Sequence, residues 1–334
     1  MFSRLFTLAL LVFAELPVDA ASVLDSERNR IEETRREHEE ALKTYRELAQ
    51  KEPETYLPEV AQTLNDLGIV HSAQNRPEEA RKAFAEALKI YRELAQKKPG
   101  TFLADVATTL NNLGTIDSSQ DQLEEARKEY AEALKIYRLL AHKNPENYLA
   151  EVAQMLNNLG LIDSAQDRIA EARKEYAEAL KIYRLLAHKN PANYLAEVAQ
   201  MLNNLGLIDS VQDRMAEARK EYEEGLRTYR KLAQKYPKSY LPEVAQTLND
   251  LGIVDSAQNR PKEARKAFAE ALKIYRELAQ KKPGTFLPDV ATTLNNLGTI
   301  DSFPGPAGGG PEGICGGTED LSFASAQKSR KLSG

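Results

Sequence analysis

The sequence predicts an all-α solenoid of stacked antiparallel helix pairs, and three observations carry that prediction. The string Leu-Asn-Asp/Asn-Leu-Gly ends at Gly68, Gly114, Gly160, Gly206, Gly252 and Gly298, always 46 residues apart. Glu-Ala-Arg-Lys recurs at Glu79, Glu125, Glu171, Glu217 and Glu263 with the same interval. A fixed period of this size marks a repeat architecture, in which each unit buries its apolar face against the next. The composition agrees: 28% of the 334 residues are charged and Trp is absent, the balance of a helical array rather than one large mixed core. Finally, each period holds two runs with helical apolar spacing.

Taken in order, Met1–Ala20 comes first. Arg4 precedes the apolar run Leu5–Ala14, and Val18-Asp19-Ala20 precedes Ala21. This is the pattern of a secretory signal peptide with a small-residue cleavage site, too short for a membrane span. The alternative is an apolar first helix covering the open end of the array. A cleaved signal implies a secreted or periplasmic protein; without cleavage the expected location is cytoplasmic. The array spans residues 24–302, because Leu24–Arg30 already keeps phase with Val254–Arg260.

Within a unit the first helix is expected over about Tyr148–Gln166. Val152, Leu156, Leu159, Leu161 and Ile162 give its apolar spacing, with Asn144 as N-cap and Pro145 at the first helical position. The second helix is expected over Ile169–Lys189, with Ala172, Tyr176, Ala179, Leu180, Tyr183 and Leu186 as the buried stripe. Asp121 with Glu124, and Asn75 with Glu78, look like capping boxes for it. Glu124 and Lys128 are placed for an exposed i,i+4 pair.

Leu64, Leu67, Gly68, Ala80, Phe84 and Ala87, with their equivalents in later units, have the spacing of the tetratricopeptide repeat signature. The unit resembles the long-unit, kinesin-light-chain-like subclass, with Arg92 and its equivalents where the usual signature ends in Pro. The resemblance implies a right-handed superhelix whose first helices line a concave, peptide-binding face. Gly225 departs from the pattern, since other units have Ala there, and a mid-helix Gly is expected to cost up to ~1 kcal/mol.

Tyr56–Ser118 and Tyr240–Ser302 differ only at His71/Asp255, Glu78/Lys262 and Ala104/Pro288, the mark of a recently duplicated block. Beyond Ser302 the helical pattern stops. Codons exist for Phe303–Gly334 that spell Ser119–Leu149 when read one base on: TTC CCA GGA CCA GCT GGA becomes TCC CAG GAC CAG CTG. We therefore read 303–334 as a frameshifted copy of the repeat and a disordered tail, with Cys315 as its by-product. The last first-helix, about Phe286–Ser302, is then left without its second helix. Leu294, Leu297 and Ile300 should lack cover, and self-association through that end is the expected consequence.

Net charge is -5, against a general polyanion binder, so no nucleic-acid partner is expected. One Cys excludes a disulfide framework, and four scattered His argue against a metal site. There is no phosphate loop or nucleophile motif, so the chain is expected to be no enzyme, with no cofactor and no small-molecule substrate. Asp117, Asp163, Asp209, Asp255 and Asp301 recur beside Ser, where inter-helix pairing is favoured over metal binding.

By the resemblance, Asn65, Asn111, Asn157, Asn203, Asn249 and Asn295 form a ladder on the concave face. Gln62, Gln154, Gln200 and Gln246 stand beside them, with Thr at the remaining positions. Amides both donate and accept, so they suit the backbone of an extended peptide. The absence of Lys at the Asn65-type position argues against capture of a free C-terminal carboxylate. The expected function is a non-catalytic scaffold for protein or extended peptide partners. The alternative is a truncated sensor or oligomerisation fragment of a larger signalling protein.

Overall fold

The computed structural model describes residues 20–302, and twelve α-helices account for nearly all of them. The signal segment, but for Ala20, and the tail 303–334 with Cys315 lie outside the described residues. In order the helices are α1 (Ala20–Lys51), α2 (Pro53–Ala73), α3 (Pro77–Lys97), α4 (Pro99–Ser119), α5 (Leu123–Lys143) and α6 (Pro145–Ala165). They continue as α7 (Ile169–Lys189), α8 (Pro191–Val211), α9 (Met215–Lys235), α10 (Pro237–Ala257), α11 (Pro261–Lys281) and α12 (Pro283–Ser302). Even-numbered helices are the first helices of the units, called A; odd-numbered ones are the second, B.

The chain divides into two compact bodies. One comprises residues up to Gln166 with Lys174–Tyr194; the other comprises Asp167–Arg173 and everything from Leu195. In the first, α1 packs on α2, α2 on α3, α3 on α4, α4 on α5 and α5 on α6. In the second, α9 packs on α10, α10 on α11 and α11 on α12. Within each body these helices thus pack on their sequence neighbours, as a repeat array requires.

The A helices begin with Pro at the first helical position, where the missing N–H costs nothing. The residue before Pro145 is Asn144, but its side chain makes no capping bond. The capping boxes are a correction too. The residues before α3 and α5 are Arg76 and Gln122, with no side-chain cap. Asn75, Asp121, Asp167, Asp213 and Asn259 instead adopt left-handed backbone, φ 56°, 61°, 59°, 55° and 56°. Asn and Asp tolerate that region better than other side chains, so they reverse the chain after each A helix rather than start the B helix. Lys128 pairs with Glu125 at 3.8 Å, not with Glu124.

Inside each unit, small residues let the pair approach. Ala80 and Ala87 are completely buried, as are Ala126, Ala133, Ala172, Ala179, Ala264 and Ala271. A Cβ on Gly68 would lie 2.5 Å from the Phe84 ring, and one on Gly114 2.8 Å from Tyr130. The last A helix is the exception. A Cβ added to Gly298 would meet nothing within 4 Å among the described residues. Leu294 is 43% exposed, where its equivalent Leu156 is 1% exposed. Leu287 is also exposed, and Leu297 and Ile300 are half-buried.

Between units, an arginine of one B helix reaches a buried aspartate of the next A helix. Arg81 Nε donates to Asp117 Oδ1 at 2.7 Å, Arg127 to Asp163 at 2.6 Å, Arg173 to Asp209 at 2.7 Å and Arg219 to Asp255 at 2.8 Å. The pairing expected for these aspartates is therefore present. At the first junction His71 replaces the aspartate, and Arg35 turns to Glu32 and Glu39 on its own helix. Burial alone would raise the pKa of Asp209, but the bonds from Arg173 and Arg214 outweigh it and lower the value. Exposed pairs such as Arg92–Glu132 and Arg138–Glu178 link successive B helices and add little.

Candidate functional site

The A helices leave one face open. On α6 it runs Glu151, Gln154, Asn158, Leu161 and Ala165, three or four residues apart and so in one stripe. Its opposite side, Val152, Leu156 and Leu159, is buried. In the first body the same stripe is Glu59, Gln62, Asp66, Ile69 on α2 and Asp105, Thr108, Asn112, Thr115 on α4. In the second the equivalent positions are Glu197, Gln200, Asn204, Leu207 on α8 and Glu243, Gln246, Asp250, Ile253 on α10, where Asn204 and Asp250 are buried and Gln200 and Glu243 exposed. Leu161 and Val211 are 42% and 46% exposed.

Of the six asparagines expected on this face, Asn65, Asn111, Asn203 and Asn249 lie at its edge, each bonded to the following A helix. Asn65 is buried, and its Oδ1 accepts from Asn112 Nδ2 at 3.1 Å and from Thr109 Oγ1 at 3.5 Å. Asn111, half-buried, accepts from Asn158 Nδ2 at 3.1 Å. Asn157 is half-buried as well. In the second body Asn249 is buried and accepts from Asn296 Nδ2 at 3.1 Å and from Thr293 Oγ1 at 3.5 Å. Asn295 is exposed. These amides hold neighbouring repeats in register. Asn112 and Asn158, which donate to them, were not singled out by sequence, although the Leu-Asn-Asn string contains them.

Asn203 is turned the other way. Its Nδ2 donates to Thr247 Oγ1 at 2.6 Å, and its buried Oδ1 receives no donor among the described residues. A Cβ on Gly225 would meet that oxygen at 2.7 Å. The reason lies one residue beyond a full period. Asn112, Asn158 and Asn296 present an N–H there, but for Asn203 that position is Asp250, whose carboxylate only accepts. Gly225 makes room for the reversed amide.

The glutamines lie nearer the open face. Gln154 and Gln200 are exposed. Gln62, also exposed, donates to Asp66 Oδ1 at 2.9 Å and accepts from Tyr91 OH at 3.3 Å. Gln246, half-buried, donates to Asp250 Oδ1 at 3.1 Å and accepts from Tyr275 OH at 3.3 Å. Burial raises the Tyr137 hydroxyl to about 12 despite its bond with Thr108. Among the described residues no group of His, Cys, Asp or Glu could hold a metal, and no helix is long and apolar enough to cross a membrane. A shallow depression in the first body is lined by Arg81, Lys89, Arg92 and Glu129.

Tetratricopeptide repeat profiles match residues 30–93 and 197–277, and a second such profile matches 106–141 and 152–187. The chain belongs to the tetratricopeptide repeat family, which makes it an interaction scaffold. Among solved structures it is similar to BtubC (BKLC) from P. vanneervenii, at 21% identity and TM-score 0.59, covering 74% of this chain and 92% of that one. It is also similar to the apo form of RapI, at 17% identity and TM-score 0.50, covering 82% and 94%. Both likenesses concern the fold. No curated protein matches the chain.

Proposed function

We propose that this array binds extended protein segments on the open face of its A helices and carries out no catalytic step. The observation that supports this reading is exposed Gln62, Gln154 and Gln200 together with exposed Leu161 and half-buried Ile69 and Leu207 on the same side of their A helices. The amides supply donors and acceptors for a peptide backbone, and the apolar positions supply contact area. The Asn65-type residues act beneath it, fixing the spacing of the A helices.

The test is a displayed peptide panel selected on the intact chain. Leu161→Arg should abolish capture of the selected peptides. Leu139→Arg and Leu185→Arg, equally exposed but on B helices, should leave capture unchanged. Loss of capture in the B-helix variants alone would move the site elsewhere.

A further inference from the structure

The open face carries a carboxylate at the same position of every A helix: Glu59, Asp105 and Glu151 in the first body, Glu197, Glu243 and Asp289 in the second. Each stands three residues before the Gln or Thr of the stripe, hence on the same side of its helix. Asp66 and Asp250 add two more acids farther along the stripe. Against this, the A helices contain a single Lys or Arg, Lys238, near the start of α10. No described ion pair engages Glu59, Asp105, Glu151 or Asp289. Burial raises the pKa of Asp105, Glu151 and Asp289, so these carboxylates are partly stripped of water. The Tyr91 hydroxyl, which contacts Gln62 on the open face, feels Asp105, Asp66 and Glu59 together.

Neighbouring packed helices stand roughly 8–10 Å apart. An extended peptide advances about 3.3 Å per residue, so three of its residues span about one such step. Resting on the open-face reading above, we infer that the partner is a cationic extended segment with Lys or Arg at every third residue, one for each A-helix carboxylate of a single body, as Glu59, Asp105 and Glu151 in the first. The apolar positions Leu161 and Ile69 would take side chains between the cations. Charge complementarity along the groove would also speed association and make binding salt-dependent.

The experiment measures binding of labelled twelve-residue peptides to the intact chain by fluorescence anisotropy. One peptide has Lys at every third position in an Ala/Ser background; the others carry Gln or Glu there, or the same Lys residues in one cluster. The spaced-Lys peptide should bind at least about ten-fold more tightly than the Gln peptide. The triple variant Glu59→Gln, Asp105→Asn, Glu151→Gln should remove that advantage. Glu86→Gln, Glu132→Gln, Glu178→Gln, with the same net charge, should keep it. These near-isosteric changes retain the helices, which circular dichroism verifies.

Equal binding of Gln and Lys peptides, abolished by Leu161→Arg, would overturn the cationic partner while leaving the open-face site standing. Preference for clustered Lys, or equal loss in both triple variants, would reduce the effect to bulk charge and overturn the inference. Binding of every peptide unaffected by Leu161→Arg would remove the open-face site itself.

Discussion

Arg81 and Asp117 form a two-pronged pair across a repeat junction: Nε to Oδ1 at 2.7 Å and an η nitrogen to Oδ2 at 3.2 Å, with the aspartate carboxylate fully buried. The arginine side chain is 42% exposed, so the two partners do not depend on the pair equally. Arg81→Met strands a buried charge and should cost about 3 kcal/mol, whereas Asp117→Asn leaves Arg81 free to reach water and should cost about 1 kcal/mol. Urea unfolding of the two variants checks the order; equal costs would contradict it.

Beside these pairs sit carboxyls that stay protonated. Burial, then the charge of the neighbouring aspartate, raises Glu129 and Glu221 from 4.5 to about 8. Oε2 of each is buried without a partner among the described residues. A folded-state value above the unfolded one means the folded chain binds more protons in between, so the stability these two groups contribute is fully present below about pH 4.5, falls as pH rises, and is lost beyond about pH 8. Each group contributes at most ~1.4 kcal/mol per pH unit in that window. Glu129→Gln with Glu221→Gln should flatten the pH dependence of the melting temperature between those limits.

Two glycines at the same repeat position should respond oppositely to a methyl group. Gly68→Ala drives a Cβ into the Phe84 ring and should destabilise by about 1–3 kcal/mol. Gly298→Ala meets nothing among the described residues and should be neutral or stabilising by up to ~1 kcal/mol. Thermal melts separate them.

The reversed amide of Asn203 makes Gly225 and Asp250 interdependent. Gly225→Ala alone should destabilise, because its Cβ falls 2.7 Å from Asn203 Oδ1. After Asp250→Asn the amide can turn back and accept, as Asn65 does from Asn112, and Gly225→Ala should then stabilise by up to ~1 kcal/mol. A double-mutant cycle by urea unfolding reads this coupling, and additivity would refute it.

Coding DNA tests the origin of residues 303–334. Their codons, read one base on, should resemble those of Ser119–Leu149. Unrelated codons would end the frameshift proposal.

Much of the fold was legible because a period repeats its own evidence. Gly68 beside Phe84 and the apolar spacing of Ile169–Lys189 fixed the helix pairs, and α7 begins and ends where that spacing placed it. The turns were misread because Asn75 and Asp121 suit both an N-cap and a left-handed turn, and only the surrounding backbone decides between them. On the candidate face the same ambiguity recurs. In Leu-Asn-Asn the first amide, Asn111, accepts from the neighbouring repeat, and the second, Asn112, donates to the preceding one. Sequence spacing alone does not separate two adjacent residues that both lie near the edge of a stripe. The acid at Glu151 recurs at every period, but only the helix boundaries show that the A helices carrying it hold almost no Lys or Arg.

Because the junctions carry interchangeable contacts, whole units can be gained or lost by unequal genetic exchange without designing a new joint. Arg81–Asp117 and Arg219–Asp255 would each accept the other's neighbour. The joint at Asn203 is the informative exception. Asp250 matches Asp66, a residue of the unit before which no A helix lies among the described residues. Set into the middle of the array it left its neighbour's amide facing backward, and Gly225 is the scar of that splice.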